Sequence, residues 1–275
     1  MAISVADITK LRKITGAGMV DCKKALTEAN GDFDKAMEEI RKKGLAVAAK
    51  RSDRETSEGC VMLKVDGTFG AIIALKCETD FVAKNADFIK LTSDILDAAV
   101  ANRCKTLEQV KALAMNDSTV ADVIIERTGI IGEKMDLDTY EVLEAPVLAS
   151  YNHQGKNFLC VLVAFNREVE DKKYIHEIAL QIAAQNPIAI CESEVPAEVV
   201  AKEKEIAVDK ARKEGKPENI IDRIAEGRLK KFYDENCLLN QKCLIDDKKT
   251  VSEYLKAYHP DLTITAFKRI TLRDE

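Results

Sequence analysis

The stretch Cys60-Val61-Met62-Leu63-Lys64-Val65-Asp66-Gly67-Thr68-Phe69-Gly70-Ala71-Ile72-Ile73-Ala74-Leu75 decides the architecture. Two apolar runs, 60–65 and 69–75, flank Asp66-Gly67, a dipeptide suited to the tight turn of a β-hairpin. A helix follows from Asp87, with Phe88, Leu91 and Ile95 on one face. The same unit recurs downstream. Residues 147–151 lead to a turn at Gly155, residues 158–165 form a second apolar run, and Ile175, Ile178 and Ile182 repeat the i, i+3, i+7 spacing. The offset is 88 residues between the turn glycines and 87 between the helices. We read this as an internal duplication of a hairpin-plus-helix unit. Two copies that bury their apolar faces give an α+β fold.

Upstream, the first 54 residues read as three short helices. Ser4 caps the first, with Val5, Ile8 and Leu11 inward, and Gly16-Ala17-Gly18 breaks it. The second runs through Met19, Cys22 and Leu26 to Asn30-Gly31. Asp32 caps the third, with Phe33, Ala36, Met37 and Ile40 inward and an end near Gly44. Residues 41–54 carry six basic side chains and one acid and read as a helical tail or linker outside the core. Residues 106–128 read as helical, with Ser118 as a cap and Gly129 and Gly132 as the end. Between 195 and 235 the pattern is an antiparallel helical hairpin: Pro196 opens it, Gly215-Lys216-Pro217 turns it, and Ile220, Ile221 and Ile224 restart the apolar stripe. Its ten basic and nine acidic residues over 202–235 suit a solvated face beside a coiled-coil seam. Leu244-Ile245 and 262–270 are expected to add strands to the second copy. The boundaries expected are 1–54 for the helical module and linker, 55–140 for the first core subdomain, 141–195 with 236–275 for the second, and 196–235 for the inserted hairpin.

Composition narrows the function. The 275 residues carry 42 Lys and Arg against 47 Asp and Glu, a net charge of −5, which disfavours a generally basic nucleic-acid binder. No apolar run approaches the ~20 residues of a membrane span, and charges within 1–13 argue against an export signal. The eight cysteines form no Cys-x-x-Cys pair, so reduced thiols in a cytosolic protein are expected and a zinc site is not. With three histidines, no Gly-x-Ser-x-Gly elbow and no phosphate loop, an ordinary enzyme is disfavoured. Cys22 beside Lys23 and Lys24 is the one arrangement that suggests a nucleophile, and a structural thiol accounts for it better.

Cys77-Glu78-Thr79-Asp80-Phe81-Val82-Ala83-Lys84-Asn85 joins the second strand to its helix, and Phe81-Val82 places apolar side chains where a polar loop is expected. One account is a hydrophobic staple that packs Phe81 on the helix start. The other is an anchor for a partner. The matching loop of the second copy, Arg167-Glu168-Val169-Glu170, closes without an aromatic, which favours the anchor.

Thr15-Gly16-Ala17-Gly18-Met19-Val20-Asp21-Cys22-Lys23-Lys24-Ala25-Leu26 resembles the N-terminal signature of the bacterial elongation factor Ts family, and Thr79-Asp80-Phe81-Val82 resembles its second signature. The resemblance covers nearly the whole chain. It implies a UBA-like N-terminal module, two repeated core subdomains and an inserted coiled-coil hairpin. It also implies a cytoplasmic exchange factor that binds the translational GTPase EF-Tu, in its GDP-bound and nucleotide-free forms, and promotes GDP release without a cofactor or covalent chemistry. By that resemblance Phe81, with Thr79, Asp80 and Val82, wedges into the GTPase and disturbs its Mg²⁺ and phosphate site. Arg12, Met19 and Val20 match the family's contacts in the N-terminal module, and Ile131, Gly132 and His153 match contacts to another GTPase domain. No direct nucleic-acid or membrane partner is implied, while the coiled coil serves dimerisation or partner contacts in some relatives. Some relatives carry a further C-terminal helix that touches the GTPase, and the end of this sequence at Arg273-Asp274-Glu275 leads us to expect that contact to be absent. An adaptor for ubiquitin-like partners is the rival reading, and it explains neither the duplication nor Thr79-Asp80-Phe81-Val82.

Overall fold

Three capped helices open the chain: α1 (Val5–Thr15), α2 (Met19–Glu28) and α3 (Phe33–Lys50). The computed structural model describes residues 3–273, so Met1, Ala2, Asp274 and Glu275 lie outside the described residues. Ser4 starts α1 in a reciprocal box. Its hydroxyl accepts from the Asp7 N–H at 3.1 Å, and the Asp7 carboxylate accepts from the Ser4 N–H at 3.2 Å. Asp32 accepts from the N–H groups of Asp34 and Lys35 and so starts α3. Ile8, Leu11, Cys22, Ala25, Leu26, Ala36 and Ile40 form the small core. Val5 does not join it, and Met19 stays at its exposed rim. The α1 stripe has enough apolar surface in Ile8 and Leu11, and the first residues of α1 and α2 project past it, whereas Phe33 at the start of α3 packs on the core.

β1 (Glu58–Asp66) and β2 (Phe69–Cys77) turn over on Gly67-Thr68, with Gly67 at φ +60°. The one-turn helix α4 (Asp80–Ala83) and then α5 (Ala86–Ala101) follow, and α5 buries Phe88, Leu91 and Ile95 as the spacing predicts. Residues 106–128 are not a single helix. α6 (Leu107–Ala112) gives way to a two-residue ribbon, β3 (Ala114–Met115) with β4 (Ser118–Thr119), which turns on Asn116 and Asp117 at φ +50° and +59°. Asn and Asp are the side chains that best tolerate this left-handed region, so local chemistry breaks the helix. α7 (Val120–Ile131) is capped by Thr119, one residue beyond the expected Ser118, through a reciprocal box with Asp122. β5 (Met135–Glu144), which the sequence reading did not anticipate, completes a sheet of order β1-β2-β5.

α3 does not end near Gly44. It continues to Lys50, and the basic residues after Arg41 form the outer side of a helix whose inner side meets α7. Gly44 and Gly129 make the closest approach: a Cβ on Gly129 would lie 2.0 Å from the Gly44 Cα. The missing side chain at Gly129 lets the two helix backbones touch, and Gly44, which reads as a stop, is the backbone surface that it meets.

The later part builds a second three-stranded sheet. β6 (Val147–Asn152) pairs antiparallel with β7 (Leu159–Phe165), in register Val147 with Phe165 and Asn152 with Cys160. α8 (Lys172–Gln185) turns Ile175, Ile178 and Ile182 onto Val161, Val163 and Phe165. Each such side chain contributes about 1.5–3 kcal/mol when fully buried. α9 (Ala197–Lys213) and α10 (Glu218–Asn236) pack on one another, with Ala207, Ala211, Ile221 and Ala225 buried. Arg228 straddles that pair: it reaches both Glu214 oxygens at 2.9 Å and the Ala207 carbonyl at 3.2 Å. Leu244 and Ile245 are exposed in a loop and form no strand. An unforeseen helix, α11 (Val251–Tyr258), supplies Val251, Tyr254 and Leu255 to the core instead. β8 (Ile264–Thr271) then pairs antiparallel with β7, giving the order β6-β7-β8.

The architecture is α+β. In both sheets the third strand lies beside the second strand of the hairpin. The chain divides into two compact units, Met1–Met62 with Ile73–Glu141 and Leu272–Glu275, and Leu63–Ile72 with Val142–Thr271.

Candidate functional site

Phe81 stands out by exposure. Its side chain is 83% accessible on α4, a helix of four residues. A hydrophobic staple would bury the ring, so that account does not hold. Cys77, at the end of β2, is fully buried, and its thiol donates to the Thr79 carbonyl at 3.2 Å. Burial, reinforced by the Glu133 charge nearby, pushes that thiol up to about 12, which leaves it an inert structural group. Thr79 is the N-cap of α4 and accepts from the Val82 N–H at 3.5 Å. Asp80 pairs with Lys84 one turn on, at 2.5 Å, and that hydrogen bond holds its carboxyl below the usual range. Val82 is half-buried behind Phe81.

Two carboxylates hold this turn from outside. Glu133 accepts from the Thr79 N–H at 3.0 Å and from the Thr79 hydroxyl at 2.7 Å. In the opposite direction Glu78 accepts from the Lys134 N–H at 2.6 Å and from the Arg51 guanidinium at 2.7 and 2.9 Å. The Lys134 N–H is the larger cause, with Arg51 second, of a Glu78 carboxyl below its ordinary value. The Lys134 ammonium also reaches the Ser52 and Arg54 carbonyls, at 2.8 and 3.0 Å. Segments 78–79 and 133–134 thus exchange carboxylate bridges just before α4.

The N-terminal signature has a different physical basis. Gly16 caps α1 at φ +73°, a left-handed conformation that strains any residue with a side chain, and the tip of the flexible Arg127 side chain lies beside it. Thr15 donates to Leu11 O and accepts from the Ala17 N–H, and the Cys22 thiol donates to Ala17 O at 3.6 Å. Cys22 is fully buried in that turn, which removes it as a nucleophile. The turn leaves Met19 and Val20 facing outward at 39% and 80% exposure, so neither is core. Arg12 lines a cavity of about 760 Å³ with Lys13, Arg127, Asp87 and the Lys90–Asp94 ion pair.

Ile131 ends α7 half-buried, and Gly132 caps it at φ +82°, donating to Thr128 O at 2.9 Å. That left-handed residue turns the chain toward Glu133 and Lys134. Ile131 and Gly132 therefore adjoin the bridges that hold the Phe81 turn. His153 belongs to the second compact unit. It opens a 3₁₀ turn, packs edge-on to Tyr151 and Phe158, and shares a 3.0 Å hydrogen bond with the Tyr151 hydroxyl. Sequence reasoning missed Glu133 altogether, because its partner lies 54 residues away and no local pattern marks it. No metal-ligating cluster occurs among the described residues, and no described helix is long and apolar enough to cross a membrane.

Comparison with known proteins places the chain in a family. The family model described as elongation factor TS matches residues 78–274. Curated relatives called elongation factor Ts are 52% identical in Bacteroides fragilis and 53% identical in Phocaeicola vulgatus, with all of both chains covered. The relative of that name from Porphyromonas gingivalis is 51% identical over 99% of each chain.

Proposed function

This chain belongs to the elongation factor Ts family of translation elongation factors, and from that premise we propose that it is the guanine nucleotide exchange factor of EF-Tu, with the Phe81 turn as the element that opens the nucleotide site. The observation that carries this reading is a fully presented aromatic ring on a one-turn helix whose base is fixed by two carboxylate bridges. Asp80 and Phe81 enter the nucleotide domain and displace the groups around Mg²⁺ and the phosphates, with Thr79 and Val82 shaping the turn. Arg12, Met19 and Val20, on a UBA-like module, grip a neighbouring face of the same domain. Ile131, Gly132 and His153 contact another GTPase domain. Residues 196–235 act as a coiled-coil hairpin, for dimerisation or partner contact. The subdomain boundaries given from the sequence, a cytoplasmic location, and the absence of covalent chemistry and of nucleic-acid contact belong to the same reading.

The energetics are consistent. An exchange factor must bind the nucleotide-free GTPase more tightly than the GDP form, and GDP weakens the factor by the same ratio as the factor weakens GDP. A thousandfold effect needs about 4 kcal/mol of differential binding. A desolvated aromatic anchor supplies roughly 2 kcal/mol or more. The N-terminal and second-unit contacts supply the remainder. An exposed Phe that meets solvent in the free protein gains this burial only in the complex.

The test is direct. EF-Tu loaded with fluorescent GDP is mixed with this protein and chased with unlabelled GDP. Strong acceleration of release is expected, and no acceleration with a competent GTPase would leave the adaptor reading in front.

A further inference from the structure

We propose that Glu133 is a positioning residue for exchange: it fixes the direction of Phe81 without touching it, by holding both donor groups of Thr79. The proposal rests on the Phe81 reading above and goes one step deeper into the same site.

A four-residue helix gains little from itself, because fixing the first turn costs more than the few backbone bonds that close it, Ala83 N–H to Thr79 O and Lys84 N–H to Asp80 O, return. Phe81, the largest side chain of α4, packs on little and fixes nothing. The turn must therefore be held from its base. The Thr79 hydroxyl there has two jobs. It donates to Glu133 at 2.7 Å, which points its remaining lone pairs toward the Val82 N–H that it accepts at 3.5 Å. The second Glu133 oxygen takes the Thr79 N–H, so the carboxylate sets the backbone and the side chain of the N-cap together. A charged acceptor makes these bonds about twice as strong as neutral ones. Lys134 and Glu78 repeat the arrangement from the opposite side, and Lys134 carries it on to the carbonyls of Ser52 and Arg54 after α3. The base of the Phe81 turn is thereby tied to the segment after α3, a helix whose start belongs to the N-terminal module. The left-handed corner at Gly132 delivers Glu133 to this position, which gives the Ile131-Gly132 pair a second role beside any contact with the GTPase.

A rigidly held anchor loses little conformational freedom on binding, and that saving is realised when the ring inserts. Loss of Glu133 should leave docking through the other contacts intact and lower the fraction of docked complexes with Phe81 inserted.

The experiment measures maximal stimulated GDP release from EF-Tu, and the concentration giving half of it, for wild type, Glu133→Gln, Thr79→Val, Phe81→Ala and the double variant Glu133→Gln/Phe81→Ala. Melting temperatures are recorded for each. Glu133→Gln and Thr79→Val are expected to lower the maximal rate about tenfold, the scale of one charge-assisted hydrogen bond, with half-saturation changed by less than about twofold. Adding Glu133→Gln to Phe81→Ala is expected to cost nothing more, because Glu133 acts through the ring. Full losses that add would show a general structural role and overturn the proposal. So would wild-type stimulation by Glu133→Gln and Thr79→Val while Phe81→Ala is impaired, with the wedge itself surviving. Should Glu133→Gln fail to fold, Thr79→Val alone decides between these outcomes. Normal stimulation by Phe81→Ala would instead bring down the underlying reading.

Discussion

Adding one methyl group at Gly129 should damage the protein, while adding one at Gly44, the residue that it touches, should not. A Cβ on Gly129 would meet Gly44 at 2.0 Å from Cα, 2.8 Å from the carbonyl carbon and 2.9 Å from the oxygen, all backbone atoms. Ordinary contact begins near 3.4 Å, so α3 and α7 must separate by roughly 1.4 Å, and no side-chain rotation can absorb that. A Cβ on Gly44 points elsewhere, 3.6 Å from Glu126 O and from Gly129 Cα, at normal contact distance. Overpacking costs about 1–3 kcal/mol, and a backbone clash falls at the upper end. Against this, Ala is favoured over Gly inside a helix by about 1 kcal/mol, which offsets part of the cost at Gly129 and is a clear gain at Gly44. A net loss of about 2 kcal/mol lowers the melting temperature by roughly 4–8 °C in a chain of this size. Gly44→Ala should melt at the wild-type temperature or about 2 °C above it. Thermal unfolding followed by circular dichroism decides. Wild-type melting of Gly129→Ala, or greater damage from Gly44→Ala, would refute the close approach.

Two further expectations concern ionisable groups. Seven of the eight thiols are buried and Cys191 is half-buried. Burial pushes Cys60 and Cys237 up to about 11 and Cys77 to about 12. Iodoacetamide at pH 8 should therefore label Cys191 first in the native protein, read by peptide mass spectrometry, and early labelling of Cys77 would contradict the buried base of the Phe81 turn. Glu78, by contrast, ionises below its ordinary value because the Lys134 N–H and Arg51 hold it charged. A depressed carboxylate stabilises the fold above its unfolded pKa, near 4.3, and that stability is lost as pH falls through the folded value. Glu78→Gln should therefore melt lower than wild type at pH 7 and converge with it as pH drops below about 4. A difference that persists unchanged to pH 3 would exclude this linkage.

The elements that were legible in the sequence carry local signals. Two apolar runs around Asp66-Gly67, the Ser4 and Asp32 caps, and Gly215 before Pro217 each act over a few residues, and each stands where it was read. What was missed depends on distant partners or on special backbone. β5 alternates Met135 and Leu137 with acids, a period-two pattern that only its place beside β2 makes decisive. The helix expected over 106–128 breaks at two adjacent left-handed residues, Asn116 and Asp117, which periodicity does not register. α11 carried a readable sign, the Thr250 and Glu253 capping box, that was passed over. Gly44 was read as a stop because a single sequence cannot show the facing Gly129. At the candidate site the motif was legible and its mechanics were not. Thr79-Asp80-Phe81-Val82 stands out as an apolar intrusion in a polar loop, but whether Phe81 folds inward depends on the Glu133–Thr79 and Glu78–Lys134 bridges, which join segments more than fifty residues apart.

The most direct test of the central claim is stimulated GDP release from EF-Tu by wild type and by Phe81→Ala, each with its melting temperature. Because Phe81 is 83% exposed, the variant should melt as wild type does. Loss of an anchor of about 2 kcal/mol predicts roughly a thirtyfold fall in stimulated release. A folded Phe81→Ala protein that stimulates release as wild type does would contradict the account.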